Sequence, residues 1–138
     1  MSEQFRSRLF FVGALWNLLG GVAIILGTGI IFGLAKLSPP VPGIYYYAWI
    51  ALFVTFGIGY FMVYRDPYGN KNIVILGIIG KLAFSAIFIY SMMATPGQAP
   101  GFFLIPVIGD LVFVLLFSMF LNFARGTITS TPQQAGAG

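Results

Sequence analysis

Long apolar runs separated by short polar segments form the main pattern along this chain. Four runs reach the roughly 20 apolar residues that a membrane-spanning helix needs, and they lie at about 9–34, 44–64, 73–93 and 102–123. The segments between them carry prolines and glycines, which end helices: KLSPPVPG, RDPYGNKN and ATPGQAPG. The pattern predicts an all-α membrane protein in which residues 1–125 form a four-transmembrane-helix bundle.

The two ends of the chain differ from the runs between them. Arg6 and Arg8 precede the first run as in a signal peptide, but that run is far longer than the 7–15 apolar residues of a signal peptide, and no cleavage motif follows it. It is therefore predicted to remain as an anchor. Residues 126–138 are small and polar, and we predict a disordered tail there.

The distribution of basic residues predicts the orientation of the four spans. The N-terminus, the 65–72 connection and the C-terminus share one side, and Lys36 is the basic residue of the other side. The shared side carries five: Arg6, Arg8, Arg65, Lys71 and Arg125. Because basic residues remain in the cytoplasm, we predict that both termini are cytoplasmic. The positive net charge then reflects topology, and no nucleic-acid partner is expected.

The composition limits the chemistry that the chain can perform. It has no Cys and no His, which removes thiolate nucleophiles, Cys–zinc sites, the usual haem ligand and the commonest general base. Its three carboxylates, Glu3, Asp66 and Asp110, are too few for a two-metal cluster or a paired-carboxylate hydrolase. We therefore expect no enzyme activity, no metal and no cofactor.

Two charged residues lie inside the predicted spans. Lys81 lies in the third span and Asp110 in the fourth. A charge at the bilayer centre is unfavourable by at least about 2.5–3.5 kcal/mol and normally faces the bundle interior with a partner. The two spans are joined by a short connection, so we predict that Lys81 and Asp110 form a buried ion pair. Asn17 and Ser85 are expected to complete its hydrogen bonds.

Three roles for these residues remain open from the sequence. The pair can fix the register of the helices, or it can form a protonatable or anion-binding site on a transport route. Alternatively, Lys81 extends to the cytoplasm while Asp110 faces an outer funnel filled with water.

Glycines on the first span predict close helix packing, since small residues let backbones approach in a membrane. Gly13, Gly20 and Gly27 share one stripe with Asn17, and we expect that stripe to face the bundle. Gly29 and Gly33 form a G-x-x-x-G pair on roughly the opposite face, which is a candidate contact with a second copy.

Short motifs resemble those of small four-helix bacterial inner-membrane proteins, loosely the DoxX group. They are ALWNLLGG in the first span, YRDPYGNKN before the third, GIIGK within it and IGDLVFVLLF in the fourth. The resemblance implies a compact four-helix bundle in the cytoplasmic membrane, and DoxX-type proteins are associated with redox or quinone-linked complexes. Defined functional residues do not accompany the resemblance, so none is transferred.

Two functions from different classes fit these features. The first is a non-enzymatic inner-membrane subunit that associates with itself or with other membrane subunits in the lipid bilayer. The second is a small oligomeric transporter or channel that uses Lys81 and Asp110 as a mid-membrane ion or proton site. The sequence favours the first, because four spans alone rarely enclose a path.

Overall fold

The structure is a computed structural model that describes residues 2–95 and 104–129. It contains four α-helices: α1 (Glu3–Ala35), α2 (Gly43–Arg65), α3 (Lys71–Ala94) and α4 (Leu104–Thr129). All four are long and apolar enough to cross a membrane. The predicted all-α fold with four spans is confirmed.

α1 begins six residues before the predicted span because its start is set by capping. The Ser2 hydroxyl accepts a hydrogen bond from the Phe5 N–H at 3.2 Å, which satisfies a donor at the helix end. At the other end Lys36 adopts a left-handed conformation (φ 54°), and the Leu37 N–H donates to the Phe32 carbonyl at 3.1 Å. The apolar run thus indicates the lipid-facing part of a longer helix.

The connection between α2 and α3 is a tight turn that begins at Asp66. The Asp66 carboxylate accepts a hydrogen bond from the Gly69 N–H at 2.9 Å. At the C-terminus, α4 continues to Thr129, past the predicted end of the domain at Arg125. The rest of the predicted tail, residues 130–138, lies outside the described residues.

The helices pack as two hairpins, α1 with α2 and α3 with α4, which meet mainly between α2 and α3. The core lies at the end of the bundle that carries the start of α1. Phe10 packs there against Phe117 and Phe120 with ring centroids 5.2 and 4.9 Å apart, and Tyr60 lies 5.1 Å from Phe117. This half of the bundle is therefore closed by aromatic packing.

Glycines allow α1 and α2 to approach, but the residues involved differ from those predicted. A Cβ atom on Gly21 would lie 2.5 Å from Val54, and one on Gly57 would lie 2.9 Å from Leu18. Both glycines are buried in the contact between the two helices.

The predicted glycine stripe faces the bundle over only part of its length. Gly13 lies against Phe113 and Phe117 of α4, and Gly20 lies against Phe53 of α2. The prediction that Gly27 faces the bundle is wrong, because a Cβ atom there would meet only Ile31 of its own helix. The reason is that α1 approaches α2 closely at Gly21, which precedes Gly27 along the helix.

Candidate functional site

The buried Lys81–Asp110 pair joins α3 to α4. Lys81 lies one turn after Gly77 on the buried face of α3, and its ammonium donates a hydrogen bond to Asp110 Oδ1. The two side chains are 5% and 6% exposed, so neither charge is solvated by bulk water. The contact agrees with the pairing predicted from the sequence, and it excludes the arrangement in which Lys81 extends away to the cytoplasm.

Aromatic rings cover the ammonium of Lys81. The nitrogen lies 5.2 Å from the centroid of Phe113 and 5.7 Å from that of Tyr60, within the range of cation–π attraction. Tyr60 reaches this position because residue 77 is glycine: a Cβ atom there would lie 2.5 Å from the tyrosine hydroxyl. The rings offset part of the free energy lost when the cation leaves water.

Trp16 covers the carboxylate side of the pair. Its indole packs on α4 at Gly109, where a Cβ atom would lie 2.7 Å from the ring, and Trp16 and Asp110 line the same cleft. The site therefore connects α1 to the α3–α4 hairpin. Sequence reasoning missed both Trp16 and Tyr60, although a glycine next to Asp110 and another one turn before Lys81 were a usable signal for large covering side chains.

Asn17 and Ser85 do not complete the hydrogen bonds of the pair, which corrects the prediction. The Asn17 amide nitrogen donates to the Phe53 carbonyl at 2.9 Å, so this residue joins α1 to α2. The close contact at Gly57 explains this, because it holds Asn17 against α2. Within the described residues, Asn17 Oδ1 and Ser85 Oγ are buried without a hydrogen-bond partner.

A large apolar cleft lies between α1 and α4, in the half of the bundle that the aromatic core does not close. Its volume is about 660 Å³, and α2 and α3 form its floor. Asp110 and Pro106 lie on the α4 wall, and both tryptophans of the chain, Trp16 and Trp49, line the cleft. Because its walls are almost wholly apolar, the cleft suits hydrocarbon rather than water.

A smaller cavity of about 260 Å³ lies on the other side of the pair, between α2 and α3. Lys81, Asp110 and Asn17 contribute polar groups to it, and Gly80 leaves space on α3. Asp110 borders both cavities together with Trp49, Phe53 and Phe84. The ion pair and these rings therefore separate two spaces within the bundle.

The G-x-x-x-G pair of α1 lies far from this site. Gly29 and Gly33 are exposed, and no described heavy atom lies within 4 Å of a Cβ atom built on either. The structure thus leaves this face of α1 open, and contact with a second copy remains a prediction.

Comparison of the chain with protein-family models, with curated proteins and with solved structures gives no match.

Proposed function

We propose that this integral membrane protein is a non-enzymatic subunit that packs against another transmembrane helix through the cleft between α1 and α4. The helix belongs either to a second copy or to a larger membrane complex. The cleft carries this proposal, since a monomer leaves about 660 Å³ of apolar space open beside its own helices.

The composition of the cleft supports a helix as its occupant. Val12 and Leu19 on the α1 wall are 51% and 62% exposed, which leaves large apolar side chains available for contact. Ala23 adds a small residue to the same wall, and small residues let a neighbouring backbone approach in a membrane. The open face at Gly29 and Gly33 gives α1 a second surface of the same kind.

The surroundings of the polar groups support a packing role over an enzymatic one. Asp110, the one carboxylate within the spans, is engaged by Lys81 and covered by Trp16. A buried pair of this kind fixes the contact between two helices, which is the best-attested use of buried charges. The location that we propose, the bacterial inner membrane, follows from the resemblance of the short motifs to those of small four-helix proteins.

Cross-linking tests the proposal cleanly because the chain has no native cysteine. Leu19→Cys places a thiol in the cleft, and Leu76→Cys places one on an exposed position of α3, 58% exposed, as the matched control. In native membranes we expect Leu19→Cys to cross-link to one defined membrane protein, either this chain or another subunit. The control should give only background products.

The mass of the particle in mild detergent provides the second measurement. We expect a complex heavier than the 15.0 kDa monomer, and Leu19→Trp should reduce it by filling the cleft. A monomer that shows no cross-link from Leu19→Cys above the control would refute the packing role.

The smaller cavity favours a second candidate, an ion or proton site at the pair. About 260 Å³ is enough for several water molecules, and Asn17 Oδ1 offers an acceptor without a partner among the described residues. Waters there would connect Lys81 and Asp110 to a polar group on α1. A proton flux in proteoliposomes that Asp110→Asn abolishes, while the fold is retained, would establish this second function in place of the first.

A further inference from the structure

Arg6 is a buried cation at the end of the bundle where α1 begins. Its side chain is 9% exposed, and its guanidinium carbon lies 5.4 Å from the ring centroid of Tyr68 and 5.1 Å from that of Phe123. Tyr68 belongs to the connection between α2 and α3, and Phe123 to α4. Three separate elements therefore meet at one guanidinium group and restrict its position.

The charge of Arg6 has no carboxylate partner within residues 2–95 and 104–125. The one ion pair formed there joins Lys81 to Asp110. Asp66, in the connection that carries Tyr68, accepts the Gly69 N–H instead. A guanidinium has five N–H donors and no acceptor, so aromatic rings alone leave its edge without hydrogen bonds.

The Arg6 side chain keeps 9% of its surface exposed. Its nitrogens are not among the enclosed polar atoms without a partner in the described part of the chain, which are Asn17 Oδ1 and Ser85 Oγ. Both rings lie within cation–π distance of the group, and they leave its N–H donors available to another ligand. A planar donor fork held in this way matches the geometry of a phosphate, which accepts two parallel hydrogen bonds.

The position of Arg6 along α1 indicates the kind of molecule that would supply such a phosphate. Phe5 and Phe11 on either side of it in sequence are 45% and 41% exposed, so the apolar surface of α1 begins at this level. The same end of the bundle carries five basic residues against Glu3 and Asp66. Basic pockets between transmembrane helices at the membrane surface are sites for lipid head groups.

We propose that Arg6 binds the phosphate group of an anionic membrane lipid, with Tyr68 and Phe123 holding the guanidinium in the orientation that binding requires. The lipid phosphate then binds where the start of α1, the α2–α3 connection and the end of α4 meet at Arg6. Arg6, Tyr68 and Phe123 line neither of the two cavities beside the Lys81–Asp110 pair, and the site does not depend on the proposed packing function.

The test is a titration of the full-length protein, stripped of lipid in detergent, with phosphatidylglycerol or phosphatidylcholine. Native mass spectrometry counts bound lipids, and the melting temperature reports their stabilising effect. We expect saturable binding of phosphatidylglycerol and weaker binding of phosphatidylcholine. Arg6→Gln should weaken phosphatidylglycerol binding by about tenfold or more, the factor for one hydrogen bond to a charged group.

Two variants separate a built site from general attraction between charges. Arg8→Gln removes one positive charge from an exposed position of the same helix end and should change the affinity clearly less than Arg6→Gln. Arg6→Lys keeps the charge and the contact with the rings, so the fold is retained, but it loses the planar fork. It should therefore bind more weakly than the native chain.

A titration with inorganic phosphate tests whether the site binds a lipid or any free phosphate anion. Millimolar inorganic phosphate should neither raise the melting temperature nor displace phosphatidylglycerol. The proposal is overturned if phosphate displaces the lipid, if Arg6→Gln and Arg8→Gln lose affinity equally, or if Arg6→Lys binds as well as the native chain.

Discussion

Lys81 and Asp110 stabilise the contact between α3 and α4 as a unit rather than as separate charges. Each is almost wholly buried, so each depends on the other to remain ionised without water. The rings of Tyr60 and Phe113 cover the cation, and Trp16 covers the carboxylate. Removal of one partner would leave an unpaired charge among these rings.

The first prediction is strong coupling between the two residues of the pair. Lys81→Met and Asp110→Leu should each lower the free energy of unfolding by roughly 3–5 kcal/mol, the usual effect of breaking a buried pair. The double variant should recover much of that loss, because two apolar side chains need no partner. Thermal or denaturant unfolding in detergent measures the three values, and their coupling is the diagnostic quantity.

Lys36→Met is the control for this cycle, since Lys36 is exposed and has no part in the pair. It should leave the stability nearly unchanged. If the losses of the two single variants simply add in the double variant, the pair does not contribute as a unit. A double variant that folds and keeps the complex detected by cross-linking supports a packing role, whereas one that folds but loses proton flux supports the second candidate.

The residues around the pair show which side-chain contacts can be predicted from the sequence and which cannot. The contact between Lys81 and Asp110 was predictable, because two charges in adjacent spans joined by a short connection have few other ways to avoid lipid. The role of Asn17 was not predictable in the same way. Its amide can bond to any polar group within reach, and only the close approach of α1 to α2 places it at the Phe53 carbonyl.

The four helices were predictable because each contains an apolar run of membrane-spanning length. The ends of the helices were less predictable, because hydropathy indicates the part of a helix that faces lipid and does not indicate the capping residues. Ser2 adds nearly two turns to α1, and α4 continues through polar residues to Thr129. The glycines that control packing were only partly found, since α1 has glycines on several faces and the sequence does not say which face meets α2.

The second prediction concerns the glycine contact between α1 and α2. Gly21→Leu should destabilise the protein strongly, because even a Cβ atom there would lie 2.5 Å from Val54. Overpacking of this kind typically lowers the free energy of unfolding by about 1–3 kcal/mol or more. Gly29→Leu is the matched control, since nothing in the described structure lies within 4 Å of that position, and the monomer should tolerate it.

Melting temperatures of the Gly21→Leu and Gly29→Leu variants in detergent measure the two losses of stability. A similar loss in both would mean that Gly29 also packs closely, as a contact with a second copy requires. Unchanged stability in Gly21→Leu would contradict the close approach of α1 to α2 itself.

The bundle as a whole is closed at the end of the aromatic core and open between α1 and α4 at the other. This asymmetry could not be predicted from the sequence. Helices that are apolar on all sides have no distinct apolar face that would indicate which sides pack together. The closed end brings together the start of α1, the end of α2, the start of α3 and the end of α4. The five basic residues that predict the orientation therefore lie at the closed end, and the cleft lies in the opposite half.

The last prediction is that this closed end faces the cytoplasm. Basic residues near span ends resist translocation, and five of them at the closed end oppose Lys36 at the other. A green fluorescent protein fused after Gly138 should fluoresce, and alkaline phosphatase at the same position should be inactive, because the enzyme needs the periplasm to fold. Phosphatase fused after Ser38, following the first span, should be active.

The reverse pattern would place the closed end in the periplasm, and the consequence would reach beyond topology. The cleft would then open in the cytoplasmic leaflet, so a partner helix would meet α1 there instead of in the outer leaflet. Arg6 would then face the outer leaflet, yet the lipid titration would be unaffected, since it measures a phosphate contact in detergent. The two experiments are therefore independent: the fusions report the orientation of the bundle, and the titration reports the proposed phosphate contact at Arg6.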